Sequence, residues 1–220
     1  RTLLEAGKYF LEKQHRSAGI PKEDLLKIAI KSMGLEDLRP FKPEEKVVEY
    51  LLEADKKQNK LVDLTVKGFA DETARESPAP GGGSVSAYMG ALGASLGTMV
   101  ANLSSHKPGW DDRWDEFAKW AERGMEIQEE LLHLVDEDTE AFNRIMAAFG
   151  MPKKTDEEKA LRSEAIQQAT LFATEVPLET MKASSRVFEL CRQMVAEGNP
   201  NSVSDAGVLS QHVQQCLAQE

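Results

Sequence analysis

Residues 77–106 read SPAPGGGSVSAYMGALGASLGTMVANLSSH, thirty positions without a single Asp, Glu, Lys or Arg. Two prolines and three glycines make 77–83 a loop, and Ser84 suits the N-cap of the helix that follows. From about 85 to 104, Gly90, Gly93 and Gly97 alternate with Ala87, Ala91, Ala94 and Ala101. A helix without charge is either buried on all sides or spans a membrane. The loop residues and the many Ser, Thr and Asn leave the run short of the ~20 strongly apolar residues a span needs. It therefore reads as the buried helix of a tight bundle, whose small residues let neighbouring backbones come close.

The rest of the chain fits that bundle. A long helix is expected over about 112–149, broken by Met151-Pro152. Thr155-Asp156-Glu157-Glu158 has the form of a capping box, so a second long helix should run from there to about Glu175. Val176-Pro177-Leu178 should kink it or begin another helix reaching Ala196. Gly198–Ser202 reads as a turn, with a last helix from near Ser204. Upstream, Leu61–Ala74 reads as a helix with Leu64, Phe69 and Val66 facing inward. Residues 1–34 read as two helices stopped at Gly34, and Pro43 starts a short third. Aromatics are 6% of the chain and strand-like alternation is missing. The expected fold is all-α: an up-and-down bundle of long helices preceded by short ones.

Composition bounds function. The 220 residues are 41% hydrophobic and 29% charged, which excludes disorder, and a net charge of −10 argues against binding a nucleic-acid backbone. The charge is uneven. Residues 1–60 carry 13 Lys and Arg against 11 Asp and Glu, whereas 61–220 carry 14 against 26. The polar stretch 53–60 sits at that change and reads as a linker between 1–52 and 61–220. Cys191 and Cys216 have no ligand spacing, as expected of a reduced, cytoplasmic protein rather than a disulfide framework. The chain opens on Arg1 rather than Met, which reads as a piece of something longer.

Four features could carry chemistry. Leu131, Val135, Phe142, Ile145 and Phe149 step by three or four along one helical stripe, and the missing member is Asp138. A carboxylate facing a core loses water and resists ionisation, which suits a general acid/base. The competing reading is a buried Asp satisfied by a hydroxyl or Lys of a neighbouring helix. Asp136, Glu137 and Glu140 should point to solvent, and no metal site is expected from them. The second feature is Gly81-Gly82-Gly83-Ser84 before a helix, where backbone amides can approach an anion or a carbonyl oxygen; it is neither a P-loop nor a nucleophile elbow. Third, Lys107, Lys153 and Lys154 are loop cations, solvated or suited to an anionic tail. Fourth, Ser204-Asp205 reads most simply as a helix cap. The four histidines form no metal-ligand spacing, and His106 alone stands near another candidate, Lys107.

Together, Ser77–Val85, the small-residue helix, Leu134–Phe142, Pro152–Lys159, Val176-Pro177-Leu178 and Gly198–Asp205 resemble the formiminotetrahydrofolate cyclodeaminase / methenyltetrahydrofolate cyclohydrolase family. Residues 1–52, above all Met33–Phe41, resemble the C-terminal end of a formiminotransferase domain. The resemblance implies a dimeric helical fold with a formiminotransferase domain in cis. It implies closure of 5-formiminotetrahydrofolate to 5,10-methenyltetrahydrofolate and ammonia, a step of histidine degradation and one-carbon metabolism. Asp138 falls on the family's catalytic aspartate. The glycine loop (Gly81, Gly82, Gly83, Ser84), Lys107, Lys153, Lys154, Ser204 and Asp205 are assigned to the folate and its glutamate tail. No permanent cofactor is implied; tetrahydrofolate polyglutamate is the substrate carrier. Homo-oligomerisation is expected through the small-residue helices, with no membrane span and no nucleic acid. After Val208 the resemblance fades, as if the closing helices were truncated. A cyclohydrolase and a non-enzymatic assembly module are the alternatives.

Overall fold

The computed structural model describes residues 2–37, 39–48, 50–51, 60–77, 79–202 and 204–205. They form α1 (Thr2–Glu12), α2 (Lys22–Ser32), α3 (Pro43–Lys46), α4 (Val66–Thr73), α5 (Gly82–Ser105), α6 (Trp114–Gly150) and α7 (Asp156–Glu197), with 3-10 turns at Leu61–Asp63 and Pro200–Ser202. No strand occurs among the described residues.

Helices α5, α6 and α7 make an up-down-up bundle. The charge-free helix is α5, and Ala87, Ala91, Ala94, Val100 and Ala101 are buried along it. α6 runs antiparallel to it. A Cβ on Gly124 of α6 would lie 2.1 Å from Thr98 Oγ1, and one on Gly97 would lie 2.7 Å from the Leu190 side chain of α7. The small residues therefore set how closely the three axes approach. Ile127, Leu131 and Val135 from α6 and Val187 from α7 complete the main core. Phe117, Leu190 and Met194 close the end nearest Ser105. Each such side chain contributes about 1.5–3 kcal/mol by leaving water. Antiparallel α7 is pinned to α6 at its edge by Arg123–Glu189 at 2.6 Å, Arg113–Glu197 at 3.2 Å and Arg186–Glu130.

α1 and α2 form a hairpin around Leu11, Ala18 and Leu25. Its loop docks on the bundle: Asn102 Nδ2 donates to the Gly19 carbonyl at 2.7 Å, and the Ser17 N–H donates to His106 Nε2 at 3.4 Å. Gly34, at φ +64°, turns the chain out of α2 in the left-handed conformation glycine tolerates.

Several expectations are corrected. α5 starts at Gly82 with Gly81 as its N-cap, so Ser84 lies inside the first turn. Leu61–Ala74 splits into a 3-10 turn and α4; Leu64 and Val66 are exposed, while Phe69 packs on Tyr88. The Thr155–Glu158 capping box forms as expected, but α7 runs unbroken through Pro177 for 42 residues. Within the 53–60 linker only Lys60 lies among the described residues, and of the last helix only Ser204 and Asp205 do. No helix among the described residues is long and apolar enough to cross a membrane.

Candidate functional site

The first turn of any α-helix leaves backbone N–H groups without an intrahelical partner. Gly81 has no side chain to satisfy those of α5. Asp138, reaching across from α6, takes that role. Its Oδ2 accepts the Ser84 N–H and the Ser84 hydroxyl, each at 2.8 Å. Thr139 Oγ1 lies 3.4 Å from the same hydroxyl. A negative charge at a helix N-terminus is favoured by the helix dipole as well as by these donors. The other oxygen, Oδ1, lies against Gly83, where an added Cβ would stand 2.2 Å from it. Glycine at 83 is thus required by close approach. Ser84 loses its expected capping role because the cap is supplied from another helix.

Two separate sequence features, the aspartate and the glycine loop, thus meet in one place. Asp138 does lie on the stripe of α6 that includes buried Leu131 and Val135. Its surroundings differ from the apolar ones expected: it is half-buried and satisfied by a neighbouring helix's hydroxyl. The last member of the stripe, Phe149, is 51% exposed, whereas its neighbour Ala148 is buried. Asp136 is a second correction. Instead of facing solvent it is half-buried and accepts the Leu61 N–H at 2.6 Å, and burial pushes its carboxyl up from the ordinary range. Asp136 and Asp138 turn to different partners and do not converge.

The remaining candidates stand elsewhere. Lys107 lies beyond the far end of α5, its Nζ 3.9 Å over the Trp110 ring. It borders a cleft of about 820 Å³ with Ile20, Met99, Asn102, Gln128 and Asn199. Between Ser84 and Asn102 the helix rises ~27 Å, at ~1.5 Å per residue. Asn102 Oδ1 is buried there with no hydrogen-bond partner among the described residues. Burial, and then the Arg16 charge, pushes the His106 imidazole at this cleft down. Ser204 and Asp205 follow the turn beside the cleft, where the Asn199 N–H donates to Ser104 Oγ at 2.9 Å. Lys153 and Lys154 are exposed past the other end of α6, and the Lys154 N–H donates to Glu158 Oε2. Within one copy, then, the lysines do not gather around Asp138. The cleft amides gave no sequence signal, because isolated Asn and Gln carry no spacing pattern.

Comparison with known proteins extends this picture. The model of the family described as formiminotransferase-cyclodeaminase matches residues 65–219, and that of the formiminotransferase domain matches residues 1–53. The first match continues past Val208, where the sequence reading let the resemblance fade. Mouse formimidoyltransferase-cyclodeaminase is 30% identical over 208 residues, covering 94% of this chain and 38% of that protein. The chain thus spans well under half the length of such relatives. A methenyltetrahydrofolate cyclohydrolase of Methylorubrum extorquens is 39% identical over 144 residues, 66% of this chain and 69% of that protein. The crystal structure of formiminotetrahydrofolate cyclodeaminase from Thermotoga maritima matches with a TM-score of 0.59 at 27% identity, covering 72% of this chain and 79% of that one.

Proposed function

The chain belongs to the formiminotransferase-cyclodeaminase family, and from that premise we propose that its helical bundle is a formimidoyltetrahydrofolate cyclodeaminase, a lyase. The substrate is 5-formiminotetrahydrofolate; the products are 5,10-methenyltetrahydrofolate and ammonia. The observation that carries the reading is the carboxylate of Asp138 held through Oδ2 by Ser84 at the start of α5, with Oδ1 free of a side-chain partner among the described residues. N10 of the folate attacks the carbon of the protonated formimino group (CH=NH2+), and Asp138 takes the N10 proton. The tetrahedral carbon then carries an amino group, which Asp138 protonates as the carbon–nitrogen bond breaks. The lone pair of a ring nitrogen completes the methenyl bridge, and ammonia leaves. One carboxylate acts first as base and then as acid.

Around that centre, Gly81–Ser84 line the folate, and Lys107, Lys153, Lys154, Ser204 and Asp205 are the candidate contacts for the rest of it and its polyglutamate tail. The domain division is residues 1–52 from a formiminotransferase domain, a linker at 53–60 and the cyclodeaminase at 61–220. The whole protein joins the two activities in histidine degradation, works in the cytoplasm and assembles as a homo-oligomer through α5. Leu92, Met99 and Leu103, 49%, 38% and 48% exposed on that helix, support the last point.

The test is direct. The purified chain should release ammonia from 5-formiminotetrahydrofolate and raise the methenyltetrahydrofolate absorbance, and Asp138→Asn should lower the rate about 100-fold or more. Equal turnover by variant and wild type would remove Asp138 from the chemistry. The Methylorubrum relative favours a second reading, a cyclohydrolase interconverting methenyl- and 10-formyltetrahydrofolate. Rates on the two substrates, measured side by side, decide between them.

A further inference from the structure

Two carboxylates, two positions apart on α6, fasten the two ends of one segment. Asp138 holds its downstream end, where Oδ2 accepts the Ser84 N–H and hydroxyl at 2.8 Å. Asp136 holds its upstream end, where Oδ1 accepts the Leu61 N–H at 2.6 Å. Each N–H lies in the first turn of a helix, Leu61 opening the 3-10 turn Leu61–Asp63 and Ser84 standing in the first turn of α5. Such donors have no partner inside their own helix. The two carboxylates leave α6 ~200° apart around its axis and ~3 Å apart along it. Residues 61–84 thus form a strap pinned to two sides of one turn of α6. Between the pins, Leu61 and Phe69 pack on the main core, and the Phe69 ring lies 5.1 Å from that of Tyr88, one turn past Ser84 on α5. The glycine loop belongs to this strap. A Cβ on Gly81 or Gly82 would meet no described atom within 4 Å, so local packing does not fix their place. The held ends of the strap do. Gly83 leaves no slack, since a Cβ there would stand 2.2 Å from Asp138 Oδ1.

We propose that Asp136 is a positioning residue of the cyclodeaminase site: its bond to the Leu61 N–H fixes the strap that delivers Gly81–Ser84 to Asp138 and the folate. The proposal rests on the cyclodeaminase reading for the reaction it serves. Asp136 faces away from Asp138 and acts on the site through the strap. Its bond needs an acceptor oxygen and not a charge. An amide can therefore replace the carboxylate at 136, whereas it cannot replace the proton-transferring one at 138. The anchor also stands where the sequence passes from Lys60, the last residue of the proposed 53–60 linker, into the bundle. The formiminotransferase portion is thereby tied to the same turn of α6 that carries Asp138.

Variants at both ends of the bond test this. Asp136→Ala removes the acceptor, Leu61→Pro removes the donor, and Asp136→Asn keeps the bond. Proline fits at 61, because Lys60 is extended with ψ 142° and position 61 opens a helical turn. Asp136→Ala and Leu61→Pro should each lower kcat/KM on 5-formiminotetrahydrofolate about 10-fold. KM should rise in both, because the displaced loop lines the folate. The double variant should fall no further than the Leu61→Pro chain, since both changes break one bond. Asp136→Asn should restore the wild-type KM. A chain that merely loses folded molecules shows a lower apparent kcat at unchanged KM. That pattern, equal losses in Asp136→Ala and Asp136→Asn, additive losses in the double variant, or full activity of Asp136→Ala overturns the proposal. Where Asp136→Ala does not fold, the KM of Leu61→Pro against that of Asp136→Asn decides. Amide hydrogen exchange reads the strap without turnover. Breaking the bond from either end should lower protection at residues 84–86 as well as at 61–64, and loss confined to 61–64 overturns the proposal. If wild type turns over no folate, the functional reading fails while exchange still decides whether Asp136 holds the glycine loop.

Discussion

At Asp138 the two carboxylate oxygens are not equivalent. Oδ2 is occupied by both donors of Ser84, while Oδ1 rests over the bare Cα of Gly83. Gly83→Ala would push a methyl into Oδ1, so the aspartate must swing away and its bonds to Ser84 must lengthen or break. Turnover is expected to fall at least about 10-fold, since small displacements at a reacting centre are costly, with helix content by circular dichroism unchanged. Ser84→Ala removes one donor and keeps the backbone one; a loss of about 1 kcal/mol of stability is expected in denaturant titration, with Ser84→Thr recovering part of it. Asp136 differs in kind. Its folded carboxyl is shifted up, so the protonated form is favoured in the fold, and a cost of ionised burial appears as pH rises through the shifted value. Asp136→Asn keeps an acceptor for the Leu61 N–H and removes that cost. It should melt no lower than wild type at pH 7, gaining at most ~1 kcal/mol because water screens a half-exposed group. The gain should vanish as pH falls below the carboxylate range. Asp138 was legible because its own helix supplies the periodicity. The Asp136–Leu61 bond joins positions 75 apart, and nothing local announces it.

The elements were legible wherever their signals are local. The charge-free stretch, the capping box at Thr155 and the positive-φ Gly34 each carry their meaning within a turn or two. Pro177 misleads for the same reason: proline removes one helical donor, yet Val176, Thr180 and Ala183 on either side bury α7 against its neighbours. Tertiary packing holds the helix together where the local rule would end it. The placement of the α1–α2 loop is likewise non-local, and it depends on pH. His106 Nε2 can accept the Ser17 N–H only while the imidazole is neutral. Burial, reinforced by Arg16, lowers its folded pKa below the unfolded one. The docking contribution is therefore present above about pH 6.5 and is lost as pH falls through the lowered value. Amide hydrogen exchange, corrected for its intrinsic pH dependence, should show residues 16–20 losing protection at pH 5 relative to pH 7.5 while α6 keeps its own. Equal protection of the loop at both values would mean that Asn102 and the ion pairs of Lys8 and Lys22 hold it alone.

For the whole molecule, the small residues and the large apolar ones on α5 divide the work. Ala87, Ala91, Ala94, Gly97 and Ala101 face α6 and α7 and let the helices close, whereas Leu92, Met99 and Leu103 stay 38–49% exposed among the described residues. The sequence showed that the helix carries no charge, which predicts burial, but the described residues of one copy bury only part of its circumference. On the proposed homo-oligomer, a second copy would satisfy the rest of that signal. Leu92→Asp tests this at the right scale: the side chain is 49% exposed and belongs to no core cluster among the described residues, so the monomer should fold with unchanged helix content. A carboxylate forced into an apolar contact costs on the order of 3 kcal/mol, which raises a dimer dissociation constant about 100-fold. Sedimentation velocity at micromolar concentration should then show monomer where wild type shows dimer. Because Asp138 and Lys107 are separated within one copy, turnover at low protein concentration should fall with dimer content and recover as protein is added. A monomeric Leu92→Asp chain with full activity would place the complete site within a single bundle.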